Sequence, residues 1–501
     1  MNRYGTFRHF QYRIVNQKRF RTMSSSTRTY SQALEKLSLL KSNRTIVDLF
    51  GNSSSPPKDL NAAAIPEMLH WLQRAGYTPK DLAKMKHIHV AGTKGKGSVC
   101  TFAAEMLRCH FGGERKVGLY TSPHLVSPRE RIAIDGSPVS TEIFTRAFFD
   151  IWDRLGEAAK REGLSAAEAE GPGTKPFFFR FLTIMAWHIF LEQGVQDVVL
   201  ECGIGGEYDS TNVVPGDAVS AAVVAQLGID HVAMLGDTAE KIAWHKAGVS
   251  KEGVTAFTRR LEGQGEVMDV LRARAAEKGA KLVEVRDEDI EAWGGVDGKL
   301  KGGFQKYNQA LAVLAVKKHL GLQVEGPSSL VPTEAMERGL REAKIRGRAE
   351  VVQDQSSLWY IDGAHTKESV EEAARWFATA IQPQDTPVLL FNQQDRDISQ
   401  LLTEFVAAMQ EVTGRRDIFN YSIFTTNNLE RERNGQGTDT SAQQRAAATM
   451  AAILPSCRTK VCDNIEDAVS EARKAGSKIL VTGSLYLAGG VLQALEPASL
   501  L

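Results

Sequence analysis

Several ordinary signals are missing from this sequence. No run of about 18 or more apolar residues occurs, so the usual mark of a membrane-spanning helix is absent. Cysteine is sparse. The five present, Cys100, Cys109, Cys202, Cys457 and Cys462, are odd in number, scattered and never spaced as CxxC. That excludes a disulfide framework and a cysteine zinc site, and it suits a reducing compartment. Net charge is close to nil, at +1 from 61 basic and 60 acidic residues. Bulk attraction to nucleic acid or to a membrane surface is therefore not expected, whereas a small anion needs only local positive groups. What remains is an ordinary globular mixture, 43% hydrophobic and 24% charged over 501 residues, long enough for two to four domains.

One further absence is local. No acidic residue precedes Glu35, while Arg3, Arg8, Arg13, Lys18, Arg19, Arg21 and Arg28 lie among serines and threonines. An Arg- and Ser-rich, acid-free leader has the composition of a mitochondrial transit segment; a disordered basic tail is the alternative. Met23 stands just before Ser24-Ser25-Ser26. Residues 1–29 are accordingly expected to be a leader, with mitochondrial matrix and cytoplasmic products from starts at Met1 and Met23.

Past the leader, apolar runs alternate with helical periodicity. A polar helical stretch covers about 30–77, broken by a loop at 51–57. Strands are expected at 87–90, 117–120, 198–201 and 218–225, separated by helices at 177–192 and 238–247. The Ala- and Glu-rich stretch 156–173 reads as a surface insertion. A loop-like composition around 326–332 marks a domain boundary. Strands then recur at 359–361, 388–391, 418–424 and 478–481, with helices at 367–381, 398–412, 441–454 and 465–475. Such alternation implies mainly parallel sheets covered by helices. The expected fold is α/β: a phosphate-loop domain over 30–335, then a smaller Rossmann-like α/β domain over 345–501.

The strand at 87–90 runs into Ala91-Gly92-Thr93-Lys94-Gly95-Lys96-Gly97-Ser98. An amphipathic helix carrying Val99, Phe102, Met106, Leu107 and His110 follows. Strand, glycine-rich turn and helix are the context that a phosphate-binding loop requires. Gly92, Gly95 and Gly97 let backbone N–H groups approach phosphate oxygens. Lys96 can neutralise phosphate charge, Ser98 can offer its hydroxyl to magnesium, and the helix N-terminus adds unpaired N–H groups and its dipole. Gly97 separates Lys96 from Ser98, unlike the common G-x-x-x-x-G-K-[ST] form, so a kinase or GTPase is disfavoured. Glu201 ends a hydrophobic strand, where a carboxylate faces the ligand crevice of an open α/β sheet, and an oxygen ligand suits magnesium.

This loop resembles that of the Mur ligase and folylpolyglutamate synthase superfamily. Further segments resemble the folylpolyglutamate synthase branch, in the expected order: Thr121-Ser122-Pro123-His124-Leu125, the run from Glu201-Cys202-Gly203 to Ser210-Thr211-Asn212, Leu227-Gly228-Ile229-Asp230-His231, His245-Lys246-Ala247-Gly248, Gly347-Arg348 and Asp362-Gly363-Ala364-His365. The likeness runs from about residue 30 to the C-terminus. It implies a first domain like the Mur ligase central domain. It also implies an amide ligase that uses ATP and two magnesium ions, with potassium as a further cation, to add L-glutamate to the glutamate tail of tetrahydrofolates through an acyl phosphate.

By the same resemblance, Ser98, Glu201, His231 and Lys246 hold metal, with Lys246 carbamylated. Gly92, Thr93, Gly95, Lys96, Gly97, Ser98, Asn308, Arg348, Asp362 and His365 contact the nucleotide. Lys96, Lys246, His231 and Arg348 serve catalysis. Ser122, Pro123 and His124, and more weakly Arg129 and Arg131, receive the folate. Without the resemblance His231 reads as an ordinary surface or structural histidine and Lys246 as an ordinary helix lysine. Thr366 after His365 stands where bacterial members often have Asn and suits eukaryotic members, while the segment 391–397 resembles a strand end of eukaryotic members with Gln393-Gln394 in place of the usual Thr-Gly before Asp395-Arg396. A dihydrofolate synthase or a bifunctional enzyme is the nearest alternative, and a non-catalytic nucleotide switch a distant one. A monomer is expected.

Overall fold

The computed structural model describes residues 28–40, 58–394, 397–429 and 439–496. The expected leader before residue 28, the loop at 51–57 and the Asp395-Arg396 pair lie outside the described residues.

Two sheets organise the chain. The first has eight strands: β1 (Lys86–Ala91), β2 (Val117–Tyr120), β3 (Ile132–Ile134), β4 (Ser137–Pro138), β5 (Asp197–Glu201), β6 (Val219–Val224), β7 (Thr255–Arg259) and β8 (Lys281–Val285). Their order is β4-β3-β2-β5-β1-β6-β7-β8. All neighbours are parallel except the β2–β3–β4 edge, which is antiparallel. Both faces of β1 and β5 are buried, as in a parallel sheet interior; β5 carries the apolar run Val198-Val199-Leu200, whereas β1 alternates apolar residues with the buried His87 and His89.

Helices Lys96–Phe111, Gln305–His319 and Glu334–Glu342 cover one face through Phe102, Met106, Leu311, Leu314 and Leu340. Thr141–Arg161 and Phe178–Gln193 cover the other through Phe144, Phe148, Trp152, Phe181 and Trp187. Helix Lys96–Phe111 is buried on more than the expected stripe, because Cys100, Ala103 and Ala104 also face neighbours, while His110 is exposed. Glu334–Glu342, in the interval between the two expected domains, packs on Lys96–Phe111 and so belongs with the first sheet.

The second sheet has six strands: β9 (Glu350–Asp354), β10 (Ser357–Ile361), β11 (Val388–Phe391), β12 (Tyr421–Thr425), β13 (Arg458–Cys462) and β14 (Lys478–Thr482). The order is β13-β12-β11-β14-β10-β9, parallel but for β9. Helices Lys367–Ala378, Ile398–Thr413 and Ser441–Ile453 cover one face, and Ile465–Ala475 and Leu485–Leu495 the other.

One reading needs correction. The stretch 156–173 is not a surface insertion throughout. Its first half completes helix Thr141–Arg161 and buries Gly156, Ala158 and Ala159, because small residues there let the helix lie close to its neighbours. The helix expected at 238–247 is present, and the chain between His231 and Lys246 is not one continuous helix. A turn of helix, Val232–Leu235, stops at Gly236, and Ala239–Ala247 restarts after Thr238, whose hydroxyl accepts from the Lys241 N–H. No helix among the described residues is long and apolar enough to cross a membrane, and all five cysteines are free and buried.

Candidate functional site

The connection leaving β1 runs to β2 on one side, whereas that leaving β5 crosses β1 to reach β6 on the other. Loops after β1 and β5 therefore diverge and open a crevice at the carboxyl ends of the strands, where open α/β sheets bind ligands. Residues 92–95 turn there, and helix Lys96–Phe111 starts at Gly95, whose φ of +80° is left-handed. A Cβ at Gly95 would land on the Asn308 side-chain oxygen. Asn308 is buried and donates to Gln305 Oε1 at 2.9 Å, so the amide is fixed against the loop. The loop is also tied down from β6: the Thr93 and Lys94 N–H groups donate to the Gln226 carbonyl, and the Thr93 hydroxyl donates to the Gly228 carbonyl at 2.9 Å.

Lys96 curls back over its own loop, its Nζ donating to the Gly92 carbonyl at 3.0 Å. Lys246, 1% exposed, reaches the same carbonyl at 2.8 Å. Burial, and then the neighbouring Lys96 charge, push the Lys246 ammonium down to about 8. Glu201 is buried at the end of β5, and its Oε2 accepts from the Ser122 N–H at 3.0 Å. A Cβ on Gly97 would stand 3.8 Å from that same oxygen, so the loop passes directly beside the carboxylate. Burial raises the Glu201 carboxyl from its ordinary value, while Lys96, the Ser122 N–H, Arg131 and Arg348 work against that shift. His231, exposed, adopts φ +51°, and its N–H donates to its neighbour Asp230 at 2.8 Å. A non-glycine residue in this conformation is uncommon and is found where a site demands it. Burial lowers the His231 imidazole, with Lys96 and Lys246 adding to that shift and Asp230 opposing it.

The second domain closes the crevice from the other side. Asp362 follows β10, and its two oxygens accept from the Ala349 and Ala364 N–H groups at 2.8 and 2.9 Å, which holds the 347–349 turn against the strand end. Burial raises the Asp362 carboxyl, with Arg348 the main opposing charge. His365 Nδ1 donates to the Gly363 carbonyl at 2.9 Å. Lys94, on the phosphate loop, pairs with Glu368 in the first turn of helix Lys367–Ala378 at 3.0 Å. Leu125 packs into the core of the second domain.

The Ser122-Pro123 peptide is cis. His124 Nδ1 accepts from Arg131 Nε at 2.8 Å, and burial pushes the imidazole down to about 4, so it stays neutral at physiological pH. The Arg131 guanidinium lies 5.4 Å from the Phe178 ring centre. Arg129 donates to the Val139 carbonyl at 3.2 Å, a structural contact.

The structure thus brings together the loop residues, Lys96, Lys246, Glu201 and Arg348, with Ser122 joined to them through Glu201. Sequence reasoning gave no role to Asp209, which accepts from the Ile204 and Thr211 N–H groups and the Thr211 hydroxyl at 2.9, 2.9 and 2.6 Å. This clamp fixes the loop after Glu201, and Thr211 continues it to His89 at 2.8 Å. Asn212 Nδ2 donates to the Glu207 and Gly248 carbonyls, locking that loop onto the end of the Lys246 helix. The quoted run from Glu201 to Asn212 contained Asp209, Thr211 and Asn212, but only their hydrogen bonds reveal the purpose.

The donor set fits a hard cation in part. Ser98 and Glu201 offer oxygen, and His231 offers imidazole. An ammonium at Lys246 would repel a metal; a carbamate there would be an oxygen ligand.

Comparison with known proteins agrees with this geometry. A model of the dihydrofolate synthetase C-terminal domain matches residues 345–494. The folylpolyglutamate synthase of Neurospora crassa is 39% identical, the match covering 96% of this chain and 94% of that protein. The probable folylpolyglutamate synthase of Schizosaccharomyces pombe is 36% identical, covering 95% and 96%. Among solved structures, the folylpolyglutamate synthase of Thermotoga maritima superposes with a TM-score of 0.66 at 23% identity, over 87% of this chain and 94% of that one. The Mycobacterium tuberculosis folylpolyglutamate synthase complexed with ADP does so with a TM-score of 0.66 at 24% identity, over 92% and 99%. With near-complete coverage at more than a third identity to curated relatives, and a phosphate loop, buried carboxylate and opposing arginine set in one crevice, the chain belongs to the folylpolyglutamate synthase family.

Proposed function

We propose that the protein joins L-glutamate to the tail carboxylate of tetrahydrofolates, with ATP cleaved to ADP and phosphate. The observation that carries this reading is the meeting of the Lys96 loop with the buried Glu201 carboxylate, joined by the Lys94–Glu368 pair to the second domain, whose Asp362 holds the turn of Arg348. In the first step a tail carboxylate oxygen attacks the γ-phosphorus and ADP leaves, giving an acyl phosphate. The glutamate amine then attacks the acyl carbon and expels inorganic phosphate, leaving an amide. Phosphoryl transfer of this kind depends on positioning and charge neutralisation. Lys96 leaves the Gly92 carbonyl for phosphate oxygens, the first N–H groups of helix Lys96–Phe111 receive them, and Arg348 approaches from the second domain as a fixed guanidinium fork.

Magnesium, when bound, would supply positive charge against the phosphate groups. Ser98 and Glu201 would hold one ion, and His231 with carbamylated Lys246 a second. Potassium has no residue assigned to it and is outside the proposal. Asn308 and His365 border the nucleotide, with Asp362 orienting the turn that carries Arg348. Ser122, Pro123 and His124 line the folate side. The enzyme acts as a monomer in the mitochondrial matrix and the cytoplasm, from starts at Met1 and Met23. Mass spectrometry of N-termini from both fractions tests this, and the absence of any form beginning near Met23 or Ser24 would count against it.

The test of function is incubation of protein from about Ser24 onward with MgATP, tetrahydrofolate and labelled glutamate, with dihydropteroate as acceptor in parallel. A ladder of added glutamates on tetrahydrofolate alone is the expected result. Product from dihydropteroate would move the assignment to a dihydrofolate synthase or bifunctional enzyme. ATP binding without either product would leave only a nucleotide switch.

A further inference from the structure

Away from the crevice, three side chains meet between the helices that cover the other face of the first sheet. His188 and Glu192 are one turn apart on Phe178–Gln193, and Asp150 faces them from Thr141–Arg161. The His188 ring is fully buried, and its Nε2 has no hydrogen-bond partner among the described residues. That atom lies 3.6 Å from Asp150 Oδ2 and 3.6 Å from Glu192 Oε1. Both separations are too long for a hydrogen bond. All three donor atoms fall within 4.8 Å of one another.

The other ring nitrogen is already committed. Nδ1 is 2.5 Å from the Tyr77 hydroxyl, which fixes the ring plane and aims Nε2 between the carboxylates. If Nδ1 carries the proton, the Nε2 lone pair confronts two anions. If Tyr77 donates instead, the buried Nε2–H has no acceptor within reach. Each neutral tautomer leaves a buried polar atom unsatisfied, which is costly. A divalent ion among the three groups would satisfy all of them. Donors of a tetrahedral ion bound at about 2.0–2.1 Å stand roughly 3.3 Å apart, a few tenths of an ångström closer than His188 is to each carboxylate. Orientation of a ligating imidazole through its second nitrogen is the usual supporting arrangement.

We infer that Asp150, His188 and Glu192 form a binding site for a first-row divalent metal of the zinc class, separate from the nucleotide crevice, which clips helix Thr141–Arg161 to helix Phe178–Gln193. One imidazole nitrogen with two carboxylates suits zinc, cobalt or manganese better than magnesium. A fourth position stays open to water. Asp150 also lines a surface cleft of about 450 Å³ with Arg28, Tyr30, Thr141, Glu142 and Arg146, which gives an ion a way in. Three arginines lie nearby among the described residues. Arg154 stands over the Tyr77 ring and donates to the Ala75 carbonyl. Arg146 Nε is 3.9 Å from Glu192 Oε2, so an ion displaces this weak contact, while Arg28 is already paired with Asp153 at 2.7 Å. The site lies more than two helical turns from Phe178, at the start of the same helix, whose ring packs near His124 and Arg131. Holding the far end of that helix therefore steadies one wall of the folate side.

The test uses the full chain, stripped with a chelator and dialysed to equilibrium against zinc in excess magnesium; any zinc taken up by the crevice is common to parent and variants and cancels in their comparison. Asp150→Asn and Glu192→Gln are the test variants, because both side chains reach the surface and neither substitution empties the core; His110→Gln, at an exposed histidine, is the control. One zinc per parent chain is expected, with affinity falling at least about tenfold in both test variants and not in the control. Zinc should raise the thermal midpoint of the parent and the control only. Cobalt should give a visible d–d spectrum that both test variants lose. Failure of the parent to retain zinc, or equal zinc affinity in parent and test variants, would overturn the assignment.

Discussion

Lys96 and Lys246 donate to one acceptor, the Gly92 carbonyl, at 3.0 and 2.8 Å. Two ammonium groups on one oxygen repel each other, and Lys246 is the buried member. Its folded pKa of about 8 lies below the ordinary 10.5. The unfolded chain therefore holds a proton that the folded chain releases between those values. Stability rises with pH through that window, and below about 8 the full burial penalty applies, roughly 3 kcal/mol at most for the unmodified amine. Lys246→Met keeps the volume and removes the charge. It should raise the urea midpoint at pH 7 while lowering turnover on the order of 100-fold. A variant less stable than the parent at pH 7 would mean that the charge is compensated in the fold.

Gly95→Ala tests the loop. A side chain at φ +80° costs about 1–2 kcal/mol, and the added carbon falls on Asn308. The expected result is a KM for ATP raised about tenfold or more with the folate KM unchanged. Asn308→Ala in the same background should relieve the collision but not the backbone strain, and so restore only part of the affinity. Full restoration would show that strain at position 95 is unimportant.

What was legible in the sequence follows from burial. Interior strands β5, β6, β11 and β14 are largely apolar on both faces and announce themselves, and β1, which holds two histidines, is marked by the glycine-rich turn after it. Of the unread strands, β3 and β4 are short and β8, β9 and β13 border the sheets, several with interleaved charged residues, as in Arg458-Thr459-Lys460-Val461-Cys462, while β7 is interior but reads Thr255-Ala256-Phe257-Thr258-Arg259, with no apolar run. Edge strands carry such residues because solvent reaches one side and unpaired edges invite association. The phosphate loop was legible because its chemistry is contiguous in sequence. The Asp209–Thr211–His89 chain, the Asp150–His188–Glu192 group and the Lys94–Glu368 contact were not, since each joins segments brought together only by folding.

Acid should unfold the protein through its buried histidines. Burial holds His87 and His124 at about 4, and His89 well below its ordinary value. Between pH 6.5 and 4 the unfolded chain binds protons that the folded chain refuses. Stability is therefore lost as pH falls through that interval, by about 1.4 kcal/mol per pH unit for each such histidine. Denaturant midpoints measured from pH 7 to 4.5 should drop steeply, and His124→Gln should reduce the slope by about one proton. A flat profile would show that these rings take up protons without unfolding.

The contact between Lys94 and Glu368 bridges the domains at the mouth of the crevice. The Lys94 ammonium holds the Glu368 carboxyl at about 2, so the pair is fully charged at physiological pH. Side-chain exposures of 41% and 70% mean that it adds little to stability, less than about 1 kcal/mol for such exposed pairs. Its leverage lies instead in the balance between open and closed crevice, because Lys94 sits on the phosphate loop and Glu368 near the turn that carries Arg348. Glu368→Lys replaces attraction with repulsion and should raise the KM for ATP by about three- to tenfold at low salt, with the thermal midpoint unchanged. Added salt screens both interactions, so the parent KM should rise with ionic strength and the variant KM should fall toward it. Identical KM values for the two proteins at low salt would mean that closure does not draw on this pair and that Arg348 is delivered by other contacts.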